Sequence, residues 1–404
     1  MCSLAAIGPV GELFLLPDAG DAVTLLHPER PAPAPLTRPP FAYAWPTWTA
    51  DGTSLLVSTI ETGASGQPPA QLLRVATRGE SVASLFRSPE GGGLLGPGMP
   101  YYVNPSPDAQ HVALLTPTPM VGLTLLFLDA AGRGPAQGVA RGAPLFSAWS
   151  PRSDALLLHA GGELSLLELA TAPATQTFAT NHTGYRVPAW SADGESFAVC
   201  AADGPRFSLQ RCDRAGKRQE ALAGSASTAA FAWSPDGGLI ALARLLHSEP
   251  PRYSDLRLIG ADGSGERRAR CGECLAFVWS PSGEHLAVLL PTPRDGHASW
   301  LVLDRDGEPA KRFPAFEPSP EFSMAIAFFD QYALSHRFWS ADGTRLLACG
   351  RMQLNGTPPE LLGPTIYLQD LRDGKSRSVA AGAIAFWSPR EREADEPDET
   401  RDGA

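Results

Sequence analysis

Cys271-Gly272-Glu273-Cys274 and Asp304-Arg305-Asp306-Gly307 are the two short runs whose spacing invites thiol or metal chemistry. A structural zinc needs four ligands, usually including a second close pair. Cys200 and Cys212 stand too far apart in sequence to be one. A redox pair wants a strand-to-helix context, and the residues around Cys271 do not offer it. Both thiols read as incidental. The Asp304 run resembles the start of a calcium loop but lacks the downstream bidentate Glu. No metal and no cofactor is expected.

Eight histidines are scattered along the chain: His27, His111, His159, His182, His247, His285, His297 and His336. His297 with Arg294 and Asp295, or His336 with Asp330, could join a site assembled from distant segments; spacing alone does not bring them together. No Gly-x-Ser-x-Gly elbow presents a serine nucleophile. No Gly-x-Gly-x-x-Gly run or P-loop opens a helix, and Gly91-Gly92-Gly93 reads as a loop. No catalytic residue is assigned.

The scaffold that must position any such group is a repeat. Trp48-Thr-Ala-Asp-Gly52, Pro105-Ser-Pro-Asp-Ala109, Trp149-Ser-Pro-Arg-Ser153, Trp190-Ser-Ala-Asp-Gly194, Trp233-Ser-Pro-Asp-Gly237, Trp279-Ser-Pro-Ser-Gly283, Trp339-Ser-Ala-Asp-Gly343 and Trp387-Ser-Pro389 follow one another at intervals of 57, 44, 41, 43, 46, 60 and 48 residues. A unit of about 40–45 residues made of several short strands is the pattern of a β-propeller blade. In the clearest unit, strands are expected at Thr228–Trp233, Leu239–Leu245, Leu256–Ile259 and near Glu266–Arg270. Pro235, Asp236 and Gly237 build the first turn. A second turn signature ends the third strand: Leu128-Asp-Ala-Ala-Gly132, Cys212-Asp-Arg-Ala-Gly216, Leu303-Asp-Arg-Asp-Gly307 and Leu371-Arg-Asp-Gly374. Trp48, Trp149, Trp190, Trp233, Trp279, Trp339 and Trp387 are read as residues packing blade against blade.

The last copy, Ala383 to Ser388, is a first strand without successors. The N-terminus supplies successors without a first strand, at Ser3–Ile7, Glu12–Leu16 and Ala22–Leu26. Pairing them completes a blade and leaves no open edge. The expected fold is all-β, an eight-bladed propeller of four-stranded antiparallel blades closed by its two ends, with seven blades as the alternative. Residues 1–389 form one domain.

Composition agrees. The chain has 404 residues, 43% hydrophobic and 19% charged, with 40 Gly and 39 Pro suited to many tight turns. A net charge of −10 argues against a nucleic-acid or anionic-membrane surface. The six cysteines form no disulfide framework. No signal segment or long apolar run is seen, so a cytoplasmic protein, monomeric by default, is expected. Residues 390–404 carry seven acids and three bases and read as a disordered tail.

The turns resemble the TolB-like propeller repeat, a relative of the WD repeat marked by Trp-Ser-Pro-Asp-Gly after the first strand. The resemblance covers roughly Ser3 to Pro389. It implies a propeller fold and a habit of binding partner proteins on one face. TolB itself has a signal peptide, an N-terminal α/β domain and six blades, none visible here.

In such blades the turns after strands one and three share one face, and they are short in this chain. The other face holds longer connections at Thr62–Ala70, Ser88–Met99, Leu246–Asp255, Pro291–His297, Pro314–Leu334 and Met352–Gly363. Long loops on a rigid scaffold are usual binding sites, so a protein or peptide partner is expected there. The candidate contacts are Phe316, Phe322, Phe328, Phe329, Asp330, Tyr332 and His336 around the aromatic insert, with Tyr253, Arg294 and His297. The same aromatics could instead fold down as a plug over the channel mouth. A hydrolase or lyase at that mouth is the alternative function.

Overall fold

The computed structural model describes residues 3–8, 11–17, 24–25, 41–61, 69–77, 81–91, 98–120, 122–169, 174–179, 187–203, 206–246, 248–294, 296–352 and 363–390. The acidic tail from 391, residues 62–68 and 353–362 of two expected loops, and His27, His182, His247 and Asp295 lie outside these residues.

One unit shows how the repeat folds. Strands Ala229–Trp233, Leu239–Leu246, Arg252–Gly260 and Arg267–Arg268 form an antiparallel sheet in chain order. The turn after Trp233 is built by two side chains. Ser234 Oγ donates to Asp236 Oδ1 at 2.5 Å and accepts the Leu239 N–H at 2.9 Å. Asp236 Oδ1 also accepts the Gly238 N–H at 3.3 Å. Gly237 closes the turn at φ +74°, donating to Ser234 O at 2.8 Å; a Cβ is disfavoured there. The hydroxyl-to-carboxylate bond recurs at Thr49–Asp51, Ser106–Asp108, Ser191–Asp193 and Ser340–Asp342. It supplies partners for backbone groups that a strand-to-strand turn would otherwise leave bare.

Among the described residues, six sheets have four strands and a seventh linked sheet has eight. Ser3–Ile7 pairs with Leu13–Pro17 on one side and with Ile384–Trp387 on the other, placing Leu4 opposite Trp387 and Ile7 opposite Ile384. The two ends of the described chain therefore share a sheet. Consecutive repeats are tied by their indoles. Trp149 Nε1 donates to Asn104 O at 2.9 Å, Trp190 to Ala148 O at 3.0 Å, Trp279 to Ala232 O at 3.1 Å and Trp339 to Val278 O at 3.2 Å. In each case the acceptor immediately precedes the Trp position of the previous repeat. Trp48 Nε1 donates to Phe386 O at 3.1 Å, so the first repeat reads the last. Trp233 and Trp387 have indole N–H groups without a hydrogen-bond partner among the described residues; Trp387 instead lies 5.2 Å from the Arg345 guanidinium.

The eight-stranded sheet joins two units through the insert. Phe316–Pro318 pairs with Gly350–Met352 and meets Ala298. Gly350 permits this: at φ +149°, its added Cβ would stand 2.0 Å from Glu317 O. The insert then forms two helices, α1 (Pro320–Ala327) and α2 (Phe329–Tyr332), where a long loop was expected. Ser319 caps α1 by accepting the Phe322 N–H at 3.1 Å and donates to Ala383 O at 2.5 Å; Pro320 suits the first turn. Among the described residues no helix is long and apolar enough to cross a membrane.

The unequal indoles give a stability test. Trp190→Phe loses a buried hydrogen bond and Trp233→Phe does not. The first should cost about 1 kcal/mol more than the second in guanidinium unfolding; equal costs would mean the indole bond contributes nothing.

Candidate functional site

The insert fills the axis at the end where the innermost strands begin. Phe329 packs at a tilt against Phe277 (centroids 4.7 Å) and meets Tyr253 edge-on at 5.5 Å. Tyr332 lies 5.4 Å from Trp45 and 5.2 Å from Tyr102. Phe322 packs between Phe316 and Phe338, at 5.7 and 5.6 Å. Polar bonds lock the plug to the strands. The Gln331 amide donates to Ser147 O at 2.8 Å and accepts the Ser147 N–H at 3.1 Å, as a neighbouring strand would. Tyr102 donates its hydroxyl to Gln331 O at 2.8 Å. Only 3% of Tyr332, and none of Phe316, Phe322, Phe329 or Tyr253, is accessible.

That burial narrows the expected contact set. Phe316, Phe322, Phe329, Tyr332 and Tyr253 face the core, because each ring finds more apolar area inside than a surface anchor would keep. Asp330 and His336 are also buried. Arg294 is exposed and His297 half-buried in a separate hairpin turn, closed by Thr292 N–H to His297 O at 3.0 Å. Of the aromatic set, Phe328 alone keeps a large exposed surface, at 39%.

Open space appears at the opposite end, where the innermost strands finish in the short turns. A cavity of about 450 Å³ is walled by Trp149, Trp190, Trp233, Trp279 and Trp339 and rimmed by Pro151, Ala192, Pro235 and Pro281. A second of about 430 Å³ is walled by Trp48, Pro105, Trp149 and Trp387 and rimmed by Ala50, Pro107 and Pro389. Leu334 and Arg337 line both, so the two are sectors of one funnel with those side chains between them. Every copy of the repeat lends it a residue.

Three ionisable groups line the funnel: Asp330, His336 and Arg337. His336 Nε2 lies 2.9 Å from Thr47 Oγ1 and Nδ1 lies 2.7 Å from Ser335 Oγ. Burial pulls its pKa down to about 3, so the ring is neutral. The surrounding protein lowers the Arg337 value, yet the side chain stays exposed, and no hydrogen bond or ion pair engages its guanidinium among the described residues. Sequence reading did not single out Arg337, though a signal existed. The residues two before each repeat's Trp position are Pro46, Val103, Ser147, Pro188, Phe231, Phe277, Arg337 and Ala385; one is charged.

Elsewhere, burial pushes the Cys271 thiol up to about 11 and that of Cys274 well above its usual range, which favours the protonated thiol near neutral pH. Asp304 Oδ1 accepts the Asp306 and Glu308 N–H groups at 2.9 Å, a turn-forming role. Among the described residues no group of three His, Cys, Asp or Glu is placed to hold a metal ion.

A eukaryotic initiation factor superposes on the chain with a TM-score of 0.57 at 13% identity, covering 96% of this chain and 98% of that one. The dihydro-heme d1 dehydrogenase NirN gives 0.59 at 13% identity, over 96% of this chain and 75% of that one. The fold is a β-propeller. TolB from Acinetobacter baumannii gives 0.38 at 14% identity over 67% of this chain and 64% of that one. No family model and no curated protein matches the chain. At these identities the likeness concerns the propeller fold alone.

His336 predicts an acid-sensitive window. Unfolded, it takes a proton near pH 6.5; folded, it resists until about pH 3. The unfolded state therefore binds more protons between those values, and stability falls as pH drops through them. In His336→Gln the slope of unfolding free energy between pH 6.5 and 4.5 should flatten. An unchanged slope would assign the window to other groups.

Proposed function

We propose that this chain is a closed eight-bladed propeller that acts as a binding module for a protein or peptide partner without transforming it. The eight turn copies, the shared sheet of Ser3–Ile7 with Ile384–Trp387, and the Trp48 bond to Phe386 O support eight blades and closure. Closure also removes the exposed edges an open arc would leave.

One observation carries the binding reading: the axis is packed shut by α1 and α2 at one end and open at the other as an apolar, aromatic-walled funnel. Each sector has the size of a ligand site. The docking end is therefore the short-turn face rather than the long-loop face expected from the sequence. The enzyme reading is favoured by Asp330 and Arg337 sharing the larger sector. It is weakened by His336, whose neutral, doubly engaged ring makes a poor base near neutral pH.

A random peptide library displayed on phage separates these readings. Enriched peptides should lose binding at least tenfold to Leu334→Trp, which fills the funnel, and keep it with Phe328→Ala. The reverse pattern would return the site to the insert. Mass change in a bound peptide on incubation, abolished by Asp330→Asn, would make the protein an enzyme.

A further inference from the structure

We propose that Arg337 is the anchor for a free carboxylate, and that the funnel's occupant is the C-terminal end of a partner polypeptide with apolar final residues. This rests on the binding reading above and deepens it.

Three observations converge. First, Arg337 lies on both sectors of the funnel with its guanidinium unengaged by any acid or acceptor among the described residues. Its side chain is exposed to the space of the funnel, so an entering ligand can reach it. A carboxylate matches its planar fork with two parallel hydrogen bonds. Second, the walls offer few competing donors. The Trp149, Trp190, Trp279 and Trp339 N–H groups are already given to backbone carbonyls, so those indoles present apolar surface. The indole walls accordingly favour apolar groups on the body of the ligand. Third, the inner end is blocked by the locked plug, in which Gln331 is bonded to both backbone groups of Ser147. A loop of a partner would have to double back in this space. A chain end enters it directly.

The rim limits the charge of the occupant. Asp51, Asp193 and Asp236 sit in the turns of this face, and each stays ionised because its pKa is lowered: Asp193 chiefly by the Ser191 hydroxyl, Asp51 and Asp236 by hydrogen bonds that outweigh their burial. A polyanion would meet these carboxylates on entry. One terminal carboxylate on an apolar chain brings a single charge past them and meets Arg337, with the buried Asp330 the one acid lining the larger sector. This distinguishes the site from a phosphate or nucleic-acid cradle.

The test uses the full chain and a synthetic library of acetylated tetrapeptides of apolar residues, each made as the acid and as the C-terminal amide, with binding read by intrinsic tryptophan fluorescence. The acids should bind and the amides should bind at least tenfold more weakly. Arg337→Gln should remove that preference; Arg337→Lys, which keeps the charge without the fork, should retain part of it. Acid and amide binding alike, with both lost in Leu334→Trp, would overturn the anchor while leaving the funnel as the docking site. No binding by any member would overturn both. Hexanoate binding as tightly as the best acid would replace the peptide with a small-molecule monocarboxylate and overturn the occupant proposed here. The acid-to-amide comparison needs no variant, so a folding defect in Arg337→Gln leaves it decisive.

Discussion

The structure depends on a hydrogen bond from one repeat's indole to the carbonyl just before the equivalent position in the repeat behind it. The bond ties neighbouring innermost strands together as well as burying a large ring. Because donor and acceptor both sit in the repeat, the same contact recurs at Trp48, Trp149, Trp190, Trp279 and Trp339, with Trp48 carrying it across to Phe386. The serine–aspartate turn follows directly after, so each strand ends where its indole is fixed. Spacing and direction are thus built by the same five residues.

Repetition of that contact leaves a space on the axis, and the two ends of that space are treated differently. At one end the insert fills it with aromatic rings and a glutamine that mimics a strand. At the other the indoles and the third residues of the turns leave an apolar funnel. The packed end makes the open end a blind cavity, and a blind cavity can select for what enters it.

Charge follows the same division. The turns carry ionised aspartates whose oxygens are occupied by hydroxyls and backbone N–H groups, as with Ser191 and Glu195 around Asp193. The chain is acidic overall, yet the funnel's interior presents an unengaged guanidinium. A cation among the apolar walls, at a position uncharged in every other copy, marks where the repeat departs from itself.

Local chemistry determined the repeat. Trp-Ser-Pro-Asp-Gly encodes its own turn through contacts no more than five residues apart, so strands at Ser3–Ile7, Leu239–Leu246 and Ile384–Trp387 were legible from the chain, as was the pairing of its ends. The insert was less so: Ser319-Pro320-Glu321 spells a helix start, yet its rings read equally well as a surface anchor or as a plug. Tertiary structure alone decided that question, and with it which face is open. Burial of Phe329 or Tyr332 depends on Phe277, Trp45 and Tyr102, residues far off in sequence that come together only when the strands gather about one axis. Arg337 gained its place in the funnel the same way, because solvent access to a side chain is a property of the assembled fold and no short segment contains it.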